Sequence, residues 1–205
     1  MAATVSTHRQ RATGVGFDLQ GALDVQRDLK RIDNRLPWLQ ERAMQTLLRR
    51  LPVEARRDIQ AEYNLPAARI RDNLRASLIG GSTARAAGVR LVGQWKRGIG
   101  LMNYSARATR KGVSYSVYRG RRQVAEGTFI ARLLGGNDQV VERYGPKVSM
   151  TKGRYVGHKR QRLEVLYRST VAQMLAQGRR PERLLDFSRD VLRSEMRRLL
   201  DSYDY

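Results

Sequence analysis

The feature that most constrains the fold is an apolar stripe that begins just after Trp38 and runs Leu39, Ala43, Leu47, Leu51, Ala55, Ile59 and Tyr63 in steps of four. Only an α-helix brings such a spacing onto one face, with Arg42, Arg49, Arg50, Arg56 and Arg57 mostly off it. Pro52 interrupts the stripe without shifting its phase, which predicts a kinked helix and not a restart. A shorter pattern upstream, Leu23, Leu29, Ile32 and Leu36 with Val25 beside them, predicts another helix over 18–36, ended by Pro37. Asn64-Leu65-Pro66 reads as a stop and a new start, with a short helix over 66–74.

Beyond Leu74 the period changes to β-branched and aromatic runs punctuated by glycine. Strands are expected over 76–79, 89–95, 113–118, 123–130 and 140–144, with a last one over 163–167. Val113, Tyr115 and Val117 alternate against Ser114, Ser116 and Tyr118, the signature of a half-buried strand. Arg119-Gly120-Arg121-Arg122 falls between two strands and reads as a hairpin tip. Gly135-Gly136-Asn137-Asp138 is a second turn, and residues 145–159 read as a glycine-bearing basic loop. A helix over 170–177 ends at Gly178, and Pro181 opens a final one to about Tyr203. Its apolar face, Leu184, Leu185, Val191, Leu192, Met196, Leu199 and Leu200, with charges alternating in sign, marks a surface or partner-packing helix, and the first six are the candidate subunit interface. Helices, then a mostly antiparallel sheet, then helices make the fold class α+β, with N-terminal helices packed on the sheet and C-terminal helices after it. The expected organisation is a flexible arm over 1–17, one α+β domain over 18–178 and a helical extension over 179–205.

Charge is the second constraint. The 205 residues hold 40 Lys and Arg against 19 Asp and Glu, a formal net charge of +21. The excess is uneven. Residues 73–125 contain no acidic side chain, while Arg75, Arg85, Arg90, Lys96, Arg97 and six more supply +11 of the total. Those six, Arg107, Arg110, Lys111, Arg119, Arg121 and Arg122, are the candidates for facing DNA or an acidic partner, because an unbalanced cationic stretch repels itself unless a polyanion lies nearby.

Other chemistries find little support. Cysteine is absent, which excludes disulfides, thiolate catalysis and cysteine-ligated metals. No run approaches the roughly 20 apolar residues of a membrane-spanning helix, and the first 16 residues hold no apolar block of a secretory signal, so a soluble chain without membrane partners is expected. His8 and His158 are the only histidines and have no triad-like or metal-ligating companions at recognisable spacing. Gly14-Val15-Gly16 begins like a dinucleotide fingerprint, but the next glycine is Gly21 and no strand is expected before it. Arginines, His158, Tyr203 and Tyr205 evoke a tyrosine recombinase, yet Gln161 stands where its second arginine belongs. Glu126, Asp138, Glu142 and Glu164 are too sparse for paired-carboxylate work, and Asp58 and Glu62 read as i,i+4 partners within an Arg-rich helix. No catalytic residue, metal site or cofactor is expected, and the chain reads as a non-enzyme. Trp38, Trp95, Tyr104, Tyr115 and Tyr118 suit base stacking, although core packing explains aromatics of this kind more simply.

An ordered set of short motifs carries further information. Glu62-Tyr63-Asn64-Leu65-Pro66, Ile70-Arg71-Asp72-Asn73-Leu74, Val89-Arg90-Leu91-Val92 and Ile99-Gly100-Leu101-Met102-Asn103-Tyr104 are followed by Lys111-Gly112-Val113-Ser114-Tyr115-Ser116-Val117 and Gly127-Thr128-Phe129-Ile130-Ala131. Val141-Glu142-Arg143-Tyr144-Gly145 and Leu163-Glu164-Val165-Leu166-Tyr167 complete the set. Over about residues 20–177 this order resembles the minor tail protein Z family of tailed bacteriophages and prophages. The resemblance departs at Arg168-Ser169-Thr170, where the family commonly has a Gly-Pro-Ser turn. It implies a virion protein without enzymatic activity, a tail completion or neck subunit that assembles as a ring at the head-proximal end of the tail and joins tail to head. Six copies would match the usual tail symmetry. Implied partners are further copies of the chain, the tail terminator and tail tube, neck or connector proteins, and genomic DNA passing without sequence-specific contact. The implied location is the virion's head-tail junction, reached from the host cytoplasm during assembly. The alternative is a free basic nucleic-acid-binding protein that uses the acid-free central sheet.

Overall fold

The stripe of four-residue steps does form one long helix. In a computed structural model, which describes residues 9–10, 14–17, 36–79, 88–133 and 135–202, it spans Leu36–Glu62 and continues through Pro52. All seven stripe residues are buried. The helix expected over 18–36 lies, apart from Leu36, outside the described residues, as do His8, Arg85, Tyr203 and Tyr205.

The chain divides into two units. The first combines Met1–Gln60, Ala67–Arg97 and Thr170–Tyr205; the second combines Ala61–Pro66 and Gly98–Ser169. This division differs from the expected single domain over 18–178 with a separate extension over 179–205. Sequence order hides it, because the last helices return to the unit that the first helix began.

The first unit holds strands β1 (Arg9–Gln10) and β2 (Gly14–Phe17), the long helix α1 (Leu36–Glu62) up to Gln60, a short helix α2 (Ala67–Arg71), and strands β3 (Leu74–Ile79) and β4 (Gly88–Gln94). Helices α3 (Val171–Leu175) and α4 (Arg180–Asp201) complete it. Its sheet is antiparallel in the order β1-β2-β4-β3. Gly14–Phe17 therefore forms a strand inside the segment expected as a flexible arm.

Val89 and Leu91 of the inner strand β4 are buried, and at Gly93 the sheet and α3 approach so closely that a Cβ would lie 2.6 Å from the Ala172 backbone nitrogen. Thr170 fixes the start of α3 with a capping box: Gln173 N donates to its Oγ1 over 3.1 Å, and its own N donates to Gln173 Oε1 over 2.9 Å.

Helices α1 and α4 run antiparallel. Leu39 and Ala43 near the start of α1 pack with Met196 and Leu199 near the end of α4, with Leu192 and Leu200 against them. Farther along, Thr46 Oγ1 donates to Glu195 Oε1 over 3.3 Å, the Arg50 guanidinium lies 5.9 Å from the Phe187 ring centroid, and Asp58 meets Arg180 and Arg183 at the start of α4. Pro181 occupies the first turn of α4, where its missing N–H breaks no helical bond.

The second unit is built from small antiparallel sheets. Strand β5 (Ile99–Gly100) leads through a 3-10 turn at Leu101–Asn103 into β6 (Arg107–Thr109), β7 (Gly112–Tyr115), β8 (Gln123–Glu126), β9 (Phe129–Arg132), β10 (Asp138–Ser149), β11 (Lys159–Val165) and β12 (Tyr167–Arg168). Pairings are β6-β7-β8, β9-β10-β11 and β5-β12. Leu65, Ile99, Leu101, Tyr104, Val113, Tyr115, Val140 and Val141 are buried here.

Two expectations change. The strand expected over 123–130 is two, because Gly127 turns the chain at a φ of +71°. The loop expected over 145–159 is shorter: β10 extends to Ser149 and β11 begins at Lys159, which leaves 150–158 as the connection.

Candidate nucleic-acid interface

The fold divides the acid-free stretch between the two units. Arg75, Arg90, Lys96 and Arg97 belong to the first, and Arg107, Arg110, Lys111, Arg119, Arg121 and Arg122 to the second. All six of the latter are exposed, but they do not form one cluster. Thr109 pairs with Gly112, which leaves Arg110 and Lys111 as the tight turn at one end of the β6-β7-β8 sheet. Arg119, Arg121 and Arg122 occupy the connection at the other end, beyond the Tyr115–Gln123 pair.

That connection turns where Arg121 N donates to Tyr118 O over 3.2 Å. Gly120 sits at a φ of +74°, a conformation that favours glycine. Arg122 is tied into the unit: its Nη2 donates to Ser105 O over 2.9 Å and its Nε to Ser114 Oγ over 3.2 Å. Arg107 pairs with Ser114 across the sheet, so these two arginines flank one serine.

The aromatic residues follow the simpler explanation. Tyr104 and Tyr115 are buried, and the Tyr118 ring packs 5.0 Å from that of Tyr63. Burial pushes the Tyr104 phenol above its ordinary value, with Arg168 opposing the shift. Arg168 itself donates to Tyr115 Oη. Trp38 and Trp95 are exposed, and Arg42 stacks over the Trp38 ring at 4.8 Å.

A second cationic surface includes the segment expected as a glycine-bearing basic loop. Strand β9 covers β10 only from Asp138 to Val141; from Glu142 onward β11 is the only strand neighbour of β10 among the described residues. The result is a two-stranded ribbon whose residues 143–160 are all exposed. Between Tyr144 and Val148 its register shifts, at Gly145 with a φ of +72° and Pro146, residues that suit a bulge and not a regular ladder. Gln161 Nε2 donates to Gly145 O over 2.9 Å. Cross-strand bonds close the tip, where Met150 N donates to His158 O over 3.0 Å and Gly157 N to Met150 O over 2.9 Å.

Residues 143–162 include no acid, and among the described residues no ion pair engages Lys147, Lys152, Arg154, Lys159, Arg160 or Arg162. Arg143 lies over the Phe129 ring at 5.2 Å. Tyr144 pairs with Arg162 and Val148 with Arg160, so these four side chains share one face of the ribbon. At the tip Arg160 stacks 3.4 Å from the Tyr155 ring centroid, and the His158 ring meets the same tyrosine edge-on at 6.4 Å. The available signal in the sequence was the absence of acids over 143–162, which the turn-forming Gly145, Pro146, Gly153 and Gly157 obscured.

The face expected as a subunit interface is covered from within the chain. Leu184, Val191, Met196 and Leu199 are buried in the first unit, and Leu185 and Leu192 are half-buried. Helical periodicity says that a face is covered but not by what, and here α1 covers its Met196 and Leu199 end.

Asp58 also departs from its expected role. Instead of an i,i+4 partner it faces α4, with Arg180 Nε 3.2 Å and Arg183 Nη2 2.7 Å from its carboxylate oxygens. Arg180 is 1% exposed and also donates to Met174 O. Among the described residues no three of His, Asp and Glu gather as a metal-binding group, and no helix is long and apolar enough to cross a membrane. No family model, curated protein or solved structure matches the chain.

Proposed function

We propose that the chain is a structural virion protein of a tailed bacteriophage, a tail completion or neck subunit that forms a ring, of six copies by the usual tail symmetry, and joins tail to head. The observation that carries this reading is where the resembling motifs fall. Each except the last contributes a buried residue: Tyr63 and Leu65, Ile70 and Leu74, Val89 and Leu91, Leu101 and Tyr104, Val113 and Tyr115, Thr128, and Val141. The similarity therefore lies in the residues that build both units and not in one surface signature. Ring contacts in this reading use surfaces other than the apolar face of α4, which the chain already covers. Neighbours would be the tail terminator or tail tube on one side and connector proteins on the other, with no catalytic step.

Electron microscopy of intact particles with the chain labelled at its C-terminus tests this. A ring of label at the head-tail junction is the expected result; unlabelled particles, with the protein found on DNA in the host cell, overturn it. The exposed cationic ribbon favours a second reading, a free nucleic-acid-binding protein, for which the purified chain would be a monomer or dimer and would not enter particles.

A further inference from the structure

We propose that the β10–β11 ribbon is a binding arm for duplex DNA, which it contacts through phosphates without reading sequence. The inference goes beyond the tail-completion reading and does not depend on it.

The first argument is stability. A two-stranded hairpin is marginal in water without a core to rest on, and this one leaves its third strand behind at Val141. It also concentrates Lys147, Lys152, Arg154, Lys159, Arg160 and Arg162 within residues 143–162, a stretch with no acid. Edge protection alone is served by lysine, proline or a bulge; Lys147, Pro146 and the register shift already provide these. Further cations of one sign raise self-repulsion, which a neighbouring polyanion relieves.

Shape is the second argument. Two strands are about 5 Å apart, and a two-stranded β-ribbon fits the roughly 12 Å major groove of B-form DNA. The deep, narrow major groove of A-form RNA does not admit side chains. Exposed apolar groups, Val148, Val156 and the 62% exposed Tyr144, lie among the cations and would rest against sugars and base edges. Arg160 is stacked on Tyr155, and the ribbon's other cations present N–H donors to phosphate oxygens, the contact that positions a protein on DNA without specifying sequence.

The test uses the full chain and a fluorescein-labelled duplex of arbitrary sequence, with anisotropy read from 50 to 200 mM NaCl. The wild type should bind with a logarithmic salt slope of about −0.9 for each phosphate neutralised. The variant K147A/R154A/R160A/R162A should lose at least about tenfold in affinity and flatten that slope by roughly three units. Replacing the same arginines by lysine (R154K/R160K/R162K) should retain binding, because phosphate contact needs charge and not the guanidinium fork. R119A/R121A/R122A should stay within about threefold of wild type, and an A-form RNA duplex should compete poorly.

Absence of binding by the wild type at 50 mM NaCl overturns the proposal. So does an equal loss in the two alanine variants, which would mean diffuse attraction, or a loss confined to R119A/R121A/R122A, which would move the site to the hairpin. Binding only to an acidic protein surface also overturns it. Unchanged thermal melting of each variant shows that lost affinity is not lost fold. Particle imaging remains a separate readout, so the failure of the arm and the failure of the tail reading are distinguishable.

Discussion

The α1–α4 helix pair and the β10–β11 ribbon are both antiparallel pairings rich in arginine, yet they treat charge in opposite ways. In the helix pair five arginines have acids. Asp58 takes Arg180 and Arg183, Glu195 takes Arg198, Asp186 takes Arg189, and Glu54 lies 3.9 Å from Arg57. The apolar stripe beneath them is buried, so the charges stabilise a structure that the core already holds. Over residues 143–162 the ribbon holds no acid, and its residues 143–160 are all exposed. Arginine next to carboxylate over apolar packing is structural; arginine on an exposed ribbon without carboxylates is available to a ligand.

Asp58 offers the largest way to break that contrast. Asp58→Ala removes the carboxylate that faces both the buried Arg180, which keeps its bond to Met174 O, and Arg183, a loss of about 2–4 kcal/mol, read as a melting temperature lower by roughly 8 °C. Adding Arg180→Met should recover part of the loss, because removing both charges costs less than stranding one. A drop below about 1 kcal/mol for the single substitution, measured by denaturant titration, would mean that the helix pair does not depend on its charges and that the two regions are more alike than described.

The same contrast explains what could be read from the sequence. The stripe from Leu39 to Tyr63 and the alternation at Val113 and Tyr115 were legible because a core imposes a period on the residues that touch it. Over 145–159 the side chains are all exposed, so no core imposes an alternation there and the segment reads as loop. The ribbon's register instead depends on cross-strand pairs such as Tyr144 with Arg162, which are distant in sequence. The return of α4 to the first unit was hidden for a related reason: Leu184, Val191 and Met196 announce an apolar face, but the partner helix lies more than a hundred residues away, as the Thr46–Glu195 separation of 149 illustrates. The DNA-facing candidates were likewise drawn from the longest acid-free stretch, although composition alone does not say that its charges are divided between two units.

Gly93 gives a smaller effect of the packing kind. In Gly93→Ala the new methyl meets the Ala172 backbone, which cannot rotate away, so a cost of about 1–3 kcal/mol is expected. Gly153 in the ribbon has open space around it and a φ of +84°. Gly153→Ala should therefore cost only the backbone penalty, about 1 kcal/mol, and largely through local opening of the tip. Hydrogen exchange separates the two: the first variant should accelerate exchange throughout the first unit, the second only near 150–158. Uniform acceleration in the Gly153 variant would mean that the ribbon is integral to folding.

The smallest predicted effect lies in the pH dependence of the helix pair. The hydrogen bond from Arg198 holds the Glu195 carboxyl below the usual carboxylate range, with burial opposing, and the Arg198 charge, Thr46 and Arg42 adding to the lowering. A carboxyl depressed in the folded state contributes stability that is complete above its unfolded value, about 4.3, and is lost as pH falls through the lower folded value. Because Arg198 is well exposed, solvent screens the pair and the contribution is small. Glu195→Gln should accordingly melt slightly below wild type at pH 7 and match it once Glu195 is protonated in both states. A constant gap at every pH would mean that the substitution acts through packing and hydrogen-bond geometry and not through the carboxylate charge, since the amide oxygen can still accept from Thr46.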